Sequence, residues 1–498
     1  MVNNLQSKNS MKRKVFSGLF WAYGERITAQ LVSLIVTIVL ARLVSPNEYG
    51  IISLVTIFIT LANVFVTDGF GNALVQKKEA DELDFSTVFW FNLFFSFLLL
   101  AGIWIIAKPI SLFYEMDALK WVMRIMGFRI PVAAVNSIQR AYISRKMEFK
   151  KFFFSTSFGT LVSAVVGIGL AYSGFGVWAL VAQYLANSTI DTVILLLTTK
   201  WHPKAKFSSE RLKPLVSFGW RILSVSLMNA LYTDLRNIVI GKKYSSSDLA
   251  YCNKGQQFPA LIAVNINVTI TNVIFPVLSK VQDDEERILK LTRKAISVGT
   301  YLMAPLLLGL FAVAGLVVNL LLTEKWLPCV PYMRIMCVVY LLQPIQTASI
   351  QAMKALGKSE IYLKLELIKK VCGLGILAGS LLLFSSIKAV IMSALIAEIF
   401  STVLNFPANK RLISYGYKEQ ILDIVKSSLP GIIMCVIMCQ ISFFLSGIIA
   451  NLIVLLVVEI VIGGMIYVLL SLLLKDETFQ YLMDIVKDVF KEKVKNRQ

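Results

Sequence analysis

The sequence predicts an all-α polytopic membrane protein: about fourteen transmembrane helices, arranged as two parallel six-helix repeats around a central cavity, plus two C-terminal helices. Three observations predict it. Hydrophobic residues fill 57% of the 498 positions and charged residues only 16%, where soluble domains have roughly half and a quarter; mean hydropathy is +0.70. Apolar runs of about 20 residues, the length that crosses roughly 30 Å of hydrocarbon, recur from end to end with no polar linker. Lysine and arginine gather in alternate loops, as membrane topology demands.

The elements follow in order. Residues 1–14 are basic and run into the first apolar stretch without an A-x-A-like cleavage site, which predicts an uncleaved first span instead of a signal peptide. Spans are expected at 15–41, 49–69, 86–107, 118–142, 153–172 and 176–199, an N-lobe over 15–199. A basic loop, 200–213, leads to spans at 214–240, 256–278, 295–318, 331–353, 361–384 and 387–407, a C-lobe over 214–409. The final pair, 427–446 and 448–474, lies within 410–474. The tail 475–498 has apolar residues at helical spacing and reads as an amphipathic helix on the inner surface. AVNINVTITN (263–272) alternates like a strand. No isolated strand can sit in lipid, so it is expected to be helical with its polar atoms toward the cavity.

Charge orients the chain. The N-terminus, 77–78, 145–151, 200–213, 280–294, 354–370, 410–426 and the tail hold most of the 50 basic residues; the opposite side holds only Arg42, Lys108, Lys120, Lys242, Lys243, Lys254, Lys325 and Lys388. Both termini are therefore expected in the cytoplasm. This placement also explains the net charge of +20 without nucleic acid. Six cysteines form no CxxC pair and lie mostly in apolar runs, as small core residues do. A single histidine, His202, leaves little for a metal site or triad. There is no GxxxxGK[ST] phosphate loop, and the loops are too short for a nucleotide domain, so a carrier without ATP chemistry or cofactor is expected.

An internal repeat supports the two lobes. MRIM opens the fourth span at Met123 and the tenth at Met333, and S-I-Q follows at Ser137–Gln139 and Ser349–Gln351. LARLVSPNEYG (40–50) lies over IGKKYSSSDLA (240–250), pairing Ser45 with Ser245 and Glu48 with Asp248. Six spans are an even number, so both halves enter from the same side, a parallel repeat.

Seven arginines fall inside spans: Arg26, Arg124, Arg129, Arg140, Arg221, Arg236 and Arg334. Each costs ~2.5–3.5 kcal/mol at a span centre unless it faces a polar interior. At 100° per residue, Arg26, Gln30, Ser33 and Thr37 share one face of span 1; Arg129, Asn136 and Arg140 share one face of span 4, and Arg124 points elsewhere. These stripes predict a cavity with cationic walls, suited to anions and, through arginine's planar fork, to phosphate. The structural alternative is that Arg140, Arg221, Arg236 and Arg334, near span ends, snorkel or pair. Glu25 could neutralise Arg26 or carry a coupling proton, and Asp234 could pair with a basic neighbour such as Arg236. Trp21, Tyr23, Tyr232, Tyr251 and Phe258 could stack on sugar rings or simply pack. The candidate cavity residues are Arg26, Arg129, Gln30, Ser33, Asn136, Arg140, Arg221 and Tyr232.

ARLVSPNEYG (41–50), GFGNALVQKKEADELDF (69–85), GVWALVAQYL (176–185), SFGWRILSVSL (217–227), DLRNIVIGKKYSSSDLAYCNKGQQFP (234–259), LLTEKWLPCVPY (321–332) and QAMKALGKSEIYLKLELIKK (351–370) are similar to the Wzx-type polysaccharide flippases of the MOP exporter superfamily. The similarity is with the colanic-acid and teichuronic-acid exporter-like branch, and it spans almost the whole chain. It implies alternating-access export of undecaprenyl-pyrophosphate-linked oligosaccharide across a bacterial cytoplasmic membrane, with spans 1, 2, 7 and 8 lining the cavity. The partners it implies are that lipid-linked substrate, the bilayer and other polysaccharide assembly proteins, with no nucleic acid. A cation-coupled multidrug exporter of the same superfamily is the nearer rival, although mid-span arginine repels organic cations. A glycan polymerase or ligase would need a larger outer loop with paired carboxylates.

Overall fold

The computed structural model describes residues 24–25, 28–68, 70–77 and 79–495. Among these, all regular structure is helical: α1 (Thr28–Leu43), α2 (Pro46–Thr67), α3 (Phe70–Gln76), α4 (Glu82–Tyr114), α5 (Asp117–Met126), α6 (Arg129–Lys146), α7 (Lys150–Tyr172), α8 (Val177–Thr198) and α9 (Ser209–Lys243). Then come α10 (Ser246–Ser279), α11 (Glu285–Leu322), a 3₁₀ turn (Glu324–Cys329), α12 (Val330–Leu341), α13 (Gln343–Ala355), α14 (Ser359–Leu383), α15 (Ile387–Ile413), α16 (Tyr417–Ser446), α17 (Leu452–Leu473) and α18 (Glu477–Lys495). AVNINVTITN is helical, inside α10, and the tail forms α18. Among the described residues ten helical runs, with Glu324–Ala355 counted as one, are long and apolar enough to cross a membrane, or up to eleven if the two parts of α9 form one span. This is a multi-pass membrane protein. The described part of the segment expected at 15–41 lies on α1, and the segments expected at 118–142 and 361–384 lie on α5–α6 and α14; none of these helices reaches that standard by itself. The last carries Lys364, Glu366, Lys369 and Lys370 in α14.

The chain forms two compact units, one ending at Ala250 and the other beginning at Tyr251. The sequence repeat turns over earlier, in the loop 200–213. The difference arises because α9 binds the first unit's helices: Tyr114 donates to the Ile238 carbonyl at 3.2 Å, and Gly241 lies where a Cβ would come within 2.4 Å of Leu54.

The first unit is organised by SPNEYG. Ser45 caps α2 with Pro46 in its first turn, and the Glu48 carboxylate reaches back to the Ser45 amide at 2.9 Å, a reciprocal capping box. The other Glu48 oxygen accepts the Val177 amide at 3.1 Å, so one side chain serves the N-termini of α2 and α8. Gly50 allows the closest backbone approach: a Cβ there would sit 2.0 Å from the Ser246 carbonyl oxygen, and Ser246 also bonds Asn47. In the aligned stretch, Ser245 and Asp248 make the same reciprocal pair, at 3.2 and 3.0 Å. At the basic end, Asp81 and Asp84 form another capping box on α4, and the buried Asp84 takes Lys77 at 2.6 Å and Arg211 at 3.5 Å.

Span 4 is not one helix. Pro131 has no N–H to give the Gly127 carbonyl, which instead takes the Ile130 amide at 2.9 Å, and α5 stops before α6 begins. Span 10 breaks in the same way at Leu342, just before Pro344. The repeated arginines are also equivalent. Arg124 donates to the Trp104 carbonyl at 3.3 Å and lies over the Trp104 ring; Arg334 donates to the Phe311 carbonyl at 3.2 Å and lies over the Phe311 ring. Each MRIM arginine ties its helix to the long helix before it.

In the second unit α11 is the spine. Gly431 of α16 lets its helix approach Ala304, and α17 is tied on by Tyr467, which donates to the Tyr301 carbonyl at 2.7 Å. Small residues and interhelical hydrogen bonds carry such packing, since lipid offers helices no hydrophobic reason to associate; each bond contributes on the order of 0.6 kcal/mol. The polar atoms of α10 do not all point one way. Asn267 donates to Gln343 at 2.8 Å and Thr271 accepts from Gln351 at 3.4 Å, both on α13, whereas Asn265 and Thr269 are exposed. All six cysteines are free; Cys252, Cys329, Cys337 and Cys435 are buried, Cys372 is half-buried and Cys439 exposed.

Candidate functional site

The polar site lies inside the first unit, on the face of α6 that the helical period selects. Asn136 donates to Asp191 Oδ2 at 2.8 Å and to Thr192 at 3.0 Å, both on α8, and accepts from Arg140 Nε at 2.9 Å. Arg140 extends to Thr156 of α7 at 3.2 Å and to Asp191 at 3.3 Å, over the Phe152 ring. Thr156 in turn donates to Glu25 at 2.8 Å. Asn187, one turn before Asp191, reaches Ser163 at 3.3 Å. Asn136, Arg140, Asn187, Asp191 and Thr192 of this network, with Thr67, line a cavity of about 330 Å³.

Arg129 shares the α6 face but is roughly 16 Å from Arg140 along the axis at 1.5 Å per residue. Its guanidinium lies 5.2 Å from the centre of the Tyr184 ring, and its Nε is buried with no hydrogen-bond partner. The described residues give it no carboxylate. The two arginines are thus different. Arg140 is not a free cation, because a carboxylate within an ion-pair distance neutralises it; Arg129 keeps an unmet donor against an aromatic face.

The other expected residues scatter. Arg26, Trp21 and Tyr23 lie outside the described residues. Gln30 is half-buried and Ser33 exposed on α1. Glu25 takes the Thr156 hydroxyl. On α9, Tyr232, Asp234 and Arg236 are half-buried, and Arg221 sits on the same helix with its side chain undescribed. Tyr251 packs edge-on against Trp326, 5.9 Å between ring centres, and Phe258 is buried, so both are packing residues.

Sequence reasoning missed Asp191, Tyr184, Asn187 and Thr156. A signal was available: Tyr184, Asn187, Ser188 and Asp191 put polar groups on one face of α8 within an apolar run. An inventory of cations alone passed over it. The second unit holds a parallel cluster, also missed. Gln346 of α13 donates to Glu398 of α15 at 2.6 Å and accepts from Ser401 at 2.8 Å, beside the buried Lys369, which pairs with Glu366 at 3.0 Å.

The chain matches the model of the family described as polysaccharide biosynthesis protein over residues 39–331, more than half its length. It belongs to that family. Among curated relatives, it is 24% identical over 425 residues to the lipopolysaccharide biosynthesis protein WzxC of Escherichia coli (strain K12), covering 83% of this chain and 85% of that one. It is 25% identical over 427 residues to the teichuronic acid biosynthesis protein TuaB of Bacillus subtilis (strain 168), covering 82% and 84%. Its fold is like that of the lipid II flippase MurJ in the inward closed conformation, with TM-score 0.72 and 16% identity over 92% of this chain and 99% of that one. Family and fold agree with the resemblance carried by SPNEYG and its companion stretches.

Proposed function

We propose that this protein moves a lipid-linked oligosaccharide across the bacterial cytoplasmic membrane by alternating access, as a carrier and not an enzyme, with both termini in the cytoplasm. The observation that carries the reading is Arg129: a half-buried side chain on a polar helix face whose Nε is buried and unmet, with no carboxylate on it among the described residues. A buried donor without a partner costs about 1–3 kcal/mol, and an anionic head group removes that cost. Arg129 is thereby suited to the pyrophosphate, with Arg26 as its companion from span 1. Asn136, Arg140 and Asp191 offer donors and acceptors together, the mixture that sugar hydroxyls require. The lipid tail stays in the bilayer. Membership of a polysaccharide biosynthesis family supports the reading, and so do relatives named for lipopolysaccharide and teichuronic acid biosynthesis.

Asp191 favours a second reading: its Oδ2 is engaged by Arg140 and Asn136, but its Oδ1 is buried with no hydrogen-bond partner, and an unmet carboxylate oxygen suits an organic cation. One experiment separates the two: export of a fluorescent undecaprenyl-pyrophosphate oligosaccharide from vesicles reconstituted with the purified chain, beside an organic-cation control. Export of the lipid-linked sugar alone is expected. Transport of the cation alone would overturn the proposal.

A further inference from the structure

Arg124 and its surroundings have a use that the cavity does not absorb. Lys120 and Arg124 stand one turn apart on α5, on one face. Their partners are rings. The Lys120 amine lies 5.0 Å from the centre of the Trp121 ring; the Arg124 guanidinium lies 5.3 Å from Trp121 and 5.4 Å from Trp104 of α4. Trp104 donates its indole N–H to the Arg124 carbonyl at 3.2 Å and meets Phe128 edge-on. The platform is open: Trp121 is 52% exposed and Trp104 40%. No ion pair joins Lys120 or Arg124 to a carboxylate among the described residues.

Three facts make this more than an aromatic belt. Cations are scarce in the loops at this end, and of the adjacent pair Lys242 and Lys243 the first is held by Glu115, whereas Lys120 and Arg124 stand together with no such carboxylate. They sit at the start of the apolar run 118–142, with Trp104 at the end of the run 86–107, the depth of lipid head groups, where a cation with no protein counter-ion meets lipid phosphate. The repeat supplies an internal control: Arg334 keeps the bond from arginine to carbonyl, but Val330 and Pro331 stand where Lys120 and Trp121 do, so the fold does not need the cluster. Arg124 spends Nε and one terminal nitrogen on the Trp104 carbonyl, which fixes the guanidinium plane.

We propose that Lys120 and Arg124, framed by Trp104 and Trp121, bind the phosphate of an anionic membrane phospholipid at this end of the first unit. The test is native mass spectrometry of the full chain in detergent, titrated in separate arms with phosphatidylglycerol, zwitterionic phosphatidylcholine, undecaprenyl phosphate and inorganic phosphate. Expected is one tightly retained phosphatidylglycerol, with retention weakened about tenfold in Lys120→Gln/Arg124→Gln and unchanged in Lys388→Gln. Lys120→Gln alone, at a half-buried side chain outside the helix packing, keeps the test free of folding defects and should weaken retention in part. Equal retention of phosphatidylglycerol by wild type and the double variant would overturn the site, as would equal retention of phosphatidylcholine. Preference for undecaprenyl phosphate would overturn the assignment to membrane phospholipid, and inorganic phosphate competing at equal concentration would overturn the requirement for a lipid. Binding is read without transport, so these outcomes stand apart from the carrier reading.

Discussion

Arg140 and Asp191, 51 residues apart, meet at 3.3 Å between α6 and α8, with Asn136 bridging them. The Asp191 side chain is mostly buried and the Arg140 side chain less so, which places the pair between the surface and buried regimes. Arg140→Ala is expected to cost about 1–3 kcal/mol, chiefly by stranding the carboxylate. Adding Asp191→Asn should recover part of that loss. Thermal unfolding of the two single variants and the double variant in detergent gives the coupling; strict additivity would mean the contact is not energetic.

Arg129 should behave differently. Arg129→Gln is expected to abolish export of the lipid-linked oligosaccharide while the protein stays inserted and abundant, because no carboxylate is left stranded. Arg129→Lys keeps the charge but loses the fork, so a partial defect is expected. Arg124→Gln should export at near wild-type rates. Quantitative blotting of membranes beside the vesicle assay separates loss of activity from loss of protein; normal export by Arg129→Gln would exclude it from the path.

Gly50→Ala puts a methyl carbon 2.0 Å from the Ser246 carbonyl oxygen, far inside contact distance. Backbone cannot swing aside as a side chain can, so folded yield should fall sharply. Gly102→Ala, where nothing lies within 4 Å, should be neutral or slightly stabilising as a helix substitution. Size-exclusion profiles of the two variants make the comparison.

Acid should remove the cap of α4. The Asp81 carboxyl is held below its ordinary value mainly by the hydrogen bond from the Asp84 amide, against some desolvation, with Arg211 adding to the effect. A depressed folded-state pKa means stabilisation that is present above the unfolded value of about 4 and lost as pH falls through the folded one. The difference in thermal midpoint between wild type and Asp81→Asn should therefore be constant from pH 5 to pH 8 and shrink toward zero on further acidification. A difference that grew with acid would reverse the sign and exclude the cap.

Topology can be checked at Glu115, whose side chain is 83% exposed, whereas Ser246 is buried and unsuited to labelling. Glu115→Cys should react with a membrane-impermeant maleimide from outside intact cells, and a tag after residue 498 should be reached only after permeabilisation. Outside access to the tag would overturn the expected orientation.

The sequence by itself determined the class, the repeat and the shared face of Arg129, Asn136 and Arg140. Each depends on a one-dimensional property: the length of an apolar run against bilayer thickness, charge by loop, or spacing along one helix. The Ser45 and Ser245 caps were legible in the same way, since a cap is settled within four residues. Only the tertiary structure decided what those faces meet. Nothing in the helical period of α6 states that α8 brings Asp191 to Arg140 but Tyr184 to Arg129, leaving one arginine neutralised and the other with an unmet donor. The break in span 4 was written in Pro131. Its placing of Arg124 over Trp104 came from how α5 lies against α4. Partners across helices depend on which faces pack, and in lipid that choice rests on close backbone approach and a few polar bonds between residues distant in sequence, which no local pattern records.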